Sequence, residues 1–343
     1  MLSAFLDRVL CGHILPVSTI RESVVMGTLF RVEVAGVERE DALVAAEDVI
    51  QEVERLDRAL TTWDSRSPMS LLNQAPVGRP FRPEAELFDL LVEAGAWSDC
   101  TGGTFDPTIG ALVDAWRLRR GGACPDGQTL ASARRATGHR ALTLDCDERA
   151  LTRHHPRAWI DTDGFGKGAA LTSARGRLSG GGVSSAFLDL GGQVLAIGRD
   201  ASTRSSWRVG VAHPSRRHEV VAHLLVEDAS VATSGNSERA LMVAGEPIGH
   251  LIDPRTGHPA ALWGSVTVVA GDPMLADVLS TALYVMGPVA GLAWSRRLED
   301  VGALFVIERD GSLAGFCNAA LERWLVDSVV PLVPGPAPGL TLS

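Results

Sequence analysis

The stretch "FLDLGGQVLAIG", Phe187 to Gly198, reads as two short apolar strands meeting at Gly191-Gly192, because a glycine pair after a strand marks a tight turn or bulge. Further β-rich runs follow at 207–212, 220–226, 265–270 and 302–308, several of them joined by Gly or Asp turns. Helical spacing over 166–179 precedes the series, and a second helix, 275–286, interrupts it. Runs of strands beside a few helices, without regular βαβ alternation, predict an α+β fold built on a largely antiparallel sheet with flanking helices.

Upstream, "SVVMGTLFRVEVA" (23–35) puts Phe30, Val32 and Val34 on one face of a strand and Arg31 and Glu33 on the other. The period then changes. Leu43, Ala46, Val49, Ile50, Val53, Leu56 and Leu60 recur at three and four, which predicts an amphipathic helix over 40–61. Further helices are expected over 84–99 and after Pro107, and 118–157 reads as a loop-rich, Arg-rich middle. One domain over 21–328 is expected, with an extension at 1–20 and a Pro/Gly tail, "PLVPGPAPGLTLS", frayed over 329–343.

A chain of 343 residues, 45% of them hydrophobic, can bury a sizeable core. Its formal net charge of −9 argues against binding a phosphate backbone, which takes clustered Lys and Arg. The 5 cysteines show no C-x-x-C spacing, so they predict reduced thiols rather than a disulfide framework or thiolate zinc. No run reaches the roughly 18 apolar residues of a membrane span. Leu10-Cys11-Gly12 has the look of a lipoprotein cleavage site but lacks a basic start, and a cytoplasmic location is expected.

Three segments carry chemistry. In "MLADVLSTALYVMG", Asp277 and Thr281 lie four apart on one helical face with Ser280 beside them, hard oxygens that suit Mg²⁺. They also suit an Asp stabilised by the dipole near a helix start and a Thr bonded back to a carbonyl. In "IDTDGFGKGAAL", Gly164, Gly166 and Gly168 let the backbone approach a ligand and Lys167 adds a cation at a helix start. The spacing is neither a Walker A loop nor a dinucleotide fingerprint, and an ordinary strand-to-helix turn fits it too. In "GHLIDPRTGHP" (249–259), Asp253 to Gly257 predict a rigid turn that leaves Arg255 and His258 solvated, and His250 is placed before it on the last strand residues. A histidine with a near-neutral pKa can act as a general base.

Together with "MGTLF" (26–30), "LTTW" and "SPMSLLN" (60–73), "GGTFDPTIGALVDAW" (102–116), "WRVGVAHP" (207–214) and "VATSGNSER" (231–239), these segments, in this order, resemble the FAD:protein FMN transferase (ApbE-like) family. The resemblance implies a flavin-modifying enzyme with FAD as substrate. It would place FMN, through a phosphoester, on a Thr or Ser of an acceptor protein and release AMP. Matched position by position, Met26 and Trp63 would flank the flavin or adenine rings, the family usually having Tyr where Trp63 stands. Thr104, Phe105, Asp106, Asp161, Lys167 and Ile252 would contact FAD. The Gly164 carbonyl, Asp277, Ser280 and Thr281 would hold Mg²⁺, and His250 is the expected base. The chain departs from the family's pattern at Thr172, Asp189, Gln193, His213, where the family has Asp, and Ser237. The same site would also serve an FAD pyrophosphatase giving FMN and AMP, or a flavin-binding protein without turnover.

Overall fold

The computed structural model describes residues 18–235 and 241–332. The N-terminal residues 1–17, Ser237 and the tail from 333 lie outside the described residues.

The Gly191-Gly192 turn sits inside an eight-stranded sheet whose spatial order is its chain order. Its strands are β1 (Thr19–Val25), β2 (Thr28–Ala35), β3 (Ser185–Leu190), β4 (Gln193–Ile197), β5 (Ala229–Gly235), β6 (Gly264–Ala270), β7 (Gly302–Arg309) and β8 (Ser312–Cys317). Every neighbouring pair is antiparallel. Three of the connections are two-residue hairpin turns with both residues at positive φ: Met26-Gly27 (52° and 69°), Gly191-Gly192 (61° and 91°) and Asp310-Gly311 (51° and 76°). That geometry matches the right-handed twist of the strands it joins.

Chain between the other strands leaves the sheet and returns to cover it. On one face lie helices α1 (Arg39–Leu60), α2 (Gly166–Gly180), α3 (Pro273–Met286) and α4 (Pro288–Ser295). Val49 and Val53 of α1 and Leu171 of α2 pack on Phe30, Val32 and Leu188, and Leu279 and Leu283 of α3 pack on Val266, Val268 and Phe305. On the other face a three-stranded sheet, Trp207–Ala212, Val220–Val226 and Leu325–Ser328, buries Val209, Val211 and Leu224 against Val194, Val231, Val269 and Val306. Alternation along β5 and β6 supplies both faces with apolar residues, as a sheet covered on two sides requires.

Four expectations need correction. Residues 23–35 are two strands rather than one, because the period-two pattern passes over the positive φ of Met26 without a break. The first strand also begins at Thr19, ahead of the expected domain start. The middle segment is structured: a helix, Gly127–Arg135, is capped by Asp126, and Leu142–Asp145 and Ala150–Arg153 pair with Pro80–Phe81 in a small sheet. Beyond Ser328 the chain stays packed to residue 332, since Val330 is buried in the second-sheet core and the Gly315 N–H donates to the Pro331 carbonyl.

Candidate active site

The ends of the sheet and its insertions enclose a cavity of about 840 Å³. One corner is formed where α2 meets α3. Gly168, in the first turn of α2, lies so close to α3 that a Cβ there would stand 2.6 Å from the Pro273 carbonyl oxygen and 2.8 Å from the Asp277 Cβ. Only glycine permits that approach. Its N–H donates to Asp277 Oδ2 at 2.9 Å, which ties the carboxylate to the start of the neighbouring helix. Burial pushes the Asp277 carboxyl above its ordinary pKa, and the charge of Lys167 and the Gly168 N–H pull it back.

Lys167, Gly164, Asp277 and Thr281 all line this corner. A Cβ on Gly164 would lie 3.6 Å from the Thr281 hydroxyl oxygen, so the glycine backbone and the threonine are neighbours. A carboxylate, a hydroxyl and a carbonyl make a hard oxygen set that fits Mg²⁺ better than a softer metal. Among the described residues no group of three or more His, Cys, Asp and Glu gathers as a metal set, so any cation here depends on these oxygens and on its ligand. Ser280 does not join them. It is buried, its hydroxyl donates to the Asp277 carbonyl at 2.9 Å and pairs with Ser234 at 2.8 Å, and it holds α3 against β5.

A second wall comes from the insertion after β2. Asn73 clamps the backbone of Ile160 from both sides, accepting its N–H at 2.7 Å and donating to its carbonyl at 3.0 Å, and this fixes the start of the glycine loop. Asp161 follows, buried, with its carboxylate bonded by Arg119 at 2.9 Å. Burial and the nearby Asp163 push the Asp161 carboxyl upward, against the pull of Arg119. The Arg119 guanidinium lies 5.1 Å from the ring centres of both Trp63 and Trp159, which keeps Trp63, 77% exposed, standing at the rim. Thr104, Phe105, Asp106 and Ile252 complete this side. Asp106 accepts from the Thr108 N–H at 2.8 Å and its hydroxyl at 2.6 Å, while burial raises its pKa.

His250 lines the cavity beside Leu251, in the link between the short strands Glu246–Ile248 and Ile252–Asp253 rather than within a strand. The turn after it forms as expected, with the Gly257 N–H on the Asp253 carbonyl at 2.7 Å. Arg255 and His258 are more than solvated turn: Arg255 donates twice to the Asp253 carboxylate, and His258 packs edge-on to Trp116, whose indole N–H donates to the Gly257 carbonyl at 2.8 Å. Met26 is the one expected ring contact that the structure does not bring to the cavity. It occupies the β1–β2 turn, its N–H donating to Asp57 at 2.9 Å. Of the departures, Thr172 bonds Asp272 away from the site, while Asp189, Gln193 and His213 line the cavity. Arg119 and Trp159 were not legible as site residues; neither belongs to a spaced motif, and only folding stacks them.

A family profile described as the ApbE family matches residues 26–305. A FAD:protein FMN transferase of Klebsiella pneumoniae (strain 342) is 28% identical over 301 residues, 86% of this chain and 85% of that protein. One of Treponema pallidum (strain Nichols) is 30% identical over 303 residues, 83% of each. The crystal structure of the apbe protein from Thermotoga maritima, 27% identical, superposes with a TM-score of 0.81 over 91% of this chain and 100% of that one.

Proposed function

The chain belongs to the ApbE family, and from that premise we propose that it transfers FMN from FAD to a Ser or Thr hydroxyl of an acceptor protein, releasing AMP. The observation that carries the reading is the meeting of Lys167 with the Asp277, Thr281 and Gly164 oxygens in one cavity of about 840 Å³. Such a corner suits a pyrophosphate, and the cavity around it has room for the groups a dinucleotide carries.

In the reaction the acceptor hydroxyl oxygen attacks the phosphorus of the FMN half, the bond to the bridging oxygen breaks, and AMP leaves with that oxygen. His250 takes the hydroxyl proton, since a free hydroxyl titrates far above neutral pH. Lys167 balances charge on the phosphate oxygens and holds the group for in-line attack. Asp277, Thr281 and the Gly164 carbonyl would hold Mg²⁺, which would supply charge neutralisation at the phosphate oxygens. Arg119 keeps the Asp161 loop and Trp63 in place for the rings.

The test is incubation of the chain with FAD, Mg²⁺ and candidate acceptors from its own genome, with AMP measured and flavin fluorescence read in a denaturing gel. Flavin retained on a denatured acceptor supports transfer. AMP release without protein-bound flavin, acceptors present, makes the protein a pyrophosphatase, and binding without AMP makes it a carrier.

A further inference from the structure

Four side chains lining the cavity carry a buried nitrogen or oxygen with no hydrogen-bond partner among the described residues: Arg119 Nε, Gln193 Oε1, His213 Nε2 and Ser265 Oγ. Buried polar groups are normally satisfied, so their concentration here marks where a ligand supplies the partners. They lie on different sides of the sheet. Gln193 donates to the Pro273 carbonyl at the start of α3, near the Lys167–Asp277 corner. Ser265 shares a strand face with Val269, which packs against the second sheet, and His213 follows the second-sheet strand Trp207–Ala212. The cavity therefore wraps around the end of the sheet, and its far side holds His213 and Ser265.

His213 is only 2% exposed. Its Nδ1 accepts the N–H groups of Ser215 at 3.1 Å and Arg216 at 3.2 Å, with the Ser215 hydroxyl at 3.4 Å. Two backbone donors on Nδ1 leave the ring proton of the neutral imidazole on Nε2, which is therefore a fixed donor. An aspartate at this place, as the family pattern has it, can accept the same turn N–H groups but presents no donor. Histidine keeps the turn and adds a buried Nε2 N–H on a residue that lines the cavity. A buried donor left without an acceptor is costly, so a ligand that accepts from it is favoured.

We propose that His213 Nε2 donates a hydrogen bond to a ring acceptor, a carbonyl oxygen or ring nitrogen, on the heteroaromatic end of the bound flavin dinucleotide that lies across the sheet from the Lys167–Asp277 corner. The proposal rests on the FAD reading above. Both the flavin pyrimidine ring and adenine offer such an acceptor, so FMN and ADP serve as separate probes.

The experiment compares the full chain with His213→Asn, whose side-chain oxygen still accepts the turn N–H groups but which lacks the reach of Nε2. FAD, FMN and ADP affinities are measured by calorimetry, and thermal stability is measured alongside. The expected result is a loss of about 3- to 10-fold for FAD and for one of FMN or ADP, with the other probe and the melting temperature unchanged. A parallel His213→Asp variant loses at least as much, and if the Asn variant does not fold, the Asp variant decides. Wild-type affinity for all three probes, or an equal loss for FMN and ADP alongside a lowered melting temperature, overturns the assignment of His213 while leaving the FAD reading intact. A wild-type chain that binds none of the three overturns both.

Discussion

Gly168→Ala tests whether the α2–α3 contact sets the reactive corner. The added Cβ would lie 2.6 Å from both the Pro273 carbonyl oxygen and the Met274 Cα, against 3.4 Å or more for ordinary contact. Both neighbours are backbone, so no side chain can swing aside. The helices must separate by about 0.8 Å, and overpacking of this kind costs roughly 1–3 kcal/mol, offset by up to about 1 kcal/mol from the better helix propensity of alanine. A net loss of about 1–2 kcal/mol lowers the melting temperature by a few degrees. Activity suffers more. A displacement near 1 Å between Lys167 and Asp277 costs on the order of 10²-fold in rate. Gly176→Ala is the control: it lies in the same helix with nothing within 4 Å of a Cβ, so it should be neutral or stabilising. Thermal denaturation and AMP release from FAD read both effects. Wild-type melting and turnover in Gly168→Ala would refute the idea that this glycine sets the geometry.

Asp277→Asn should reduce Mg²⁺-dependent AMP release by about 10²-fold or more while far-UV circular dichroism stays native, and unchanged Mg²⁺ dependence removes the oxygen set from the reaction. His250→Ala should lose about 10²- to 10⁴-fold in transfer to an acceptor with FAD affinity held within a few-fold; a loss confined to FAD affinity contradicts a base. Glu52 joins α1 to the helix that carries Lys167, and Arg55, with help from Ser173 and Arg177, holds its carboxyl at about 2, down from 4.5. Folding therefore favours the ionised form, and the stabilisation is complete above pH 4.5 and lost as pH falls toward 2. Glu52→Gln should lower stability by roughly 2 kcal/mol at pH 7 and progressively less from pH 4.5 down, and a deficit that stays constant to pH 3 rules the linkage out.

Local signals read well in one dimension. Helix spacing puts Asp277 and Thr281 on one face before any fold is known, and in the structure both line the cavity. The Gly191-Gly192 pair announces a hairpin because only a residue tolerant of positive φ takes both turn positions cheaply. Ser280 shows the limit of such reading. Its place next to Asp277 matches a ligand set, yet β5 supplies Ser234 as a partner and turns the hydroxyl to structural use. The β1–β2 turn shows another limit, since Met26 adopts a positive φ that its alternating neighbours do not signal.

Segment identity and the order of elements follow from the sequence by itself, because hydrophobic period, capping and turn chemistry act over a few residues. Chain order even becomes sheet order here, each strand pairing with the next after its insertion has folded away. The site belongs to the tertiary structure. Gly168 lets two helices approach closely enough for its N–H to reach Asp277, 109 residues further along the chain, within the field of Lys167. Arg119 finds its two tryptophans, and His213 its place in the cavity wall, only when insertions from different parts of the chain close on one sheet end. Contacts of that range depend on how whole layers pack, and no local pattern encodes them.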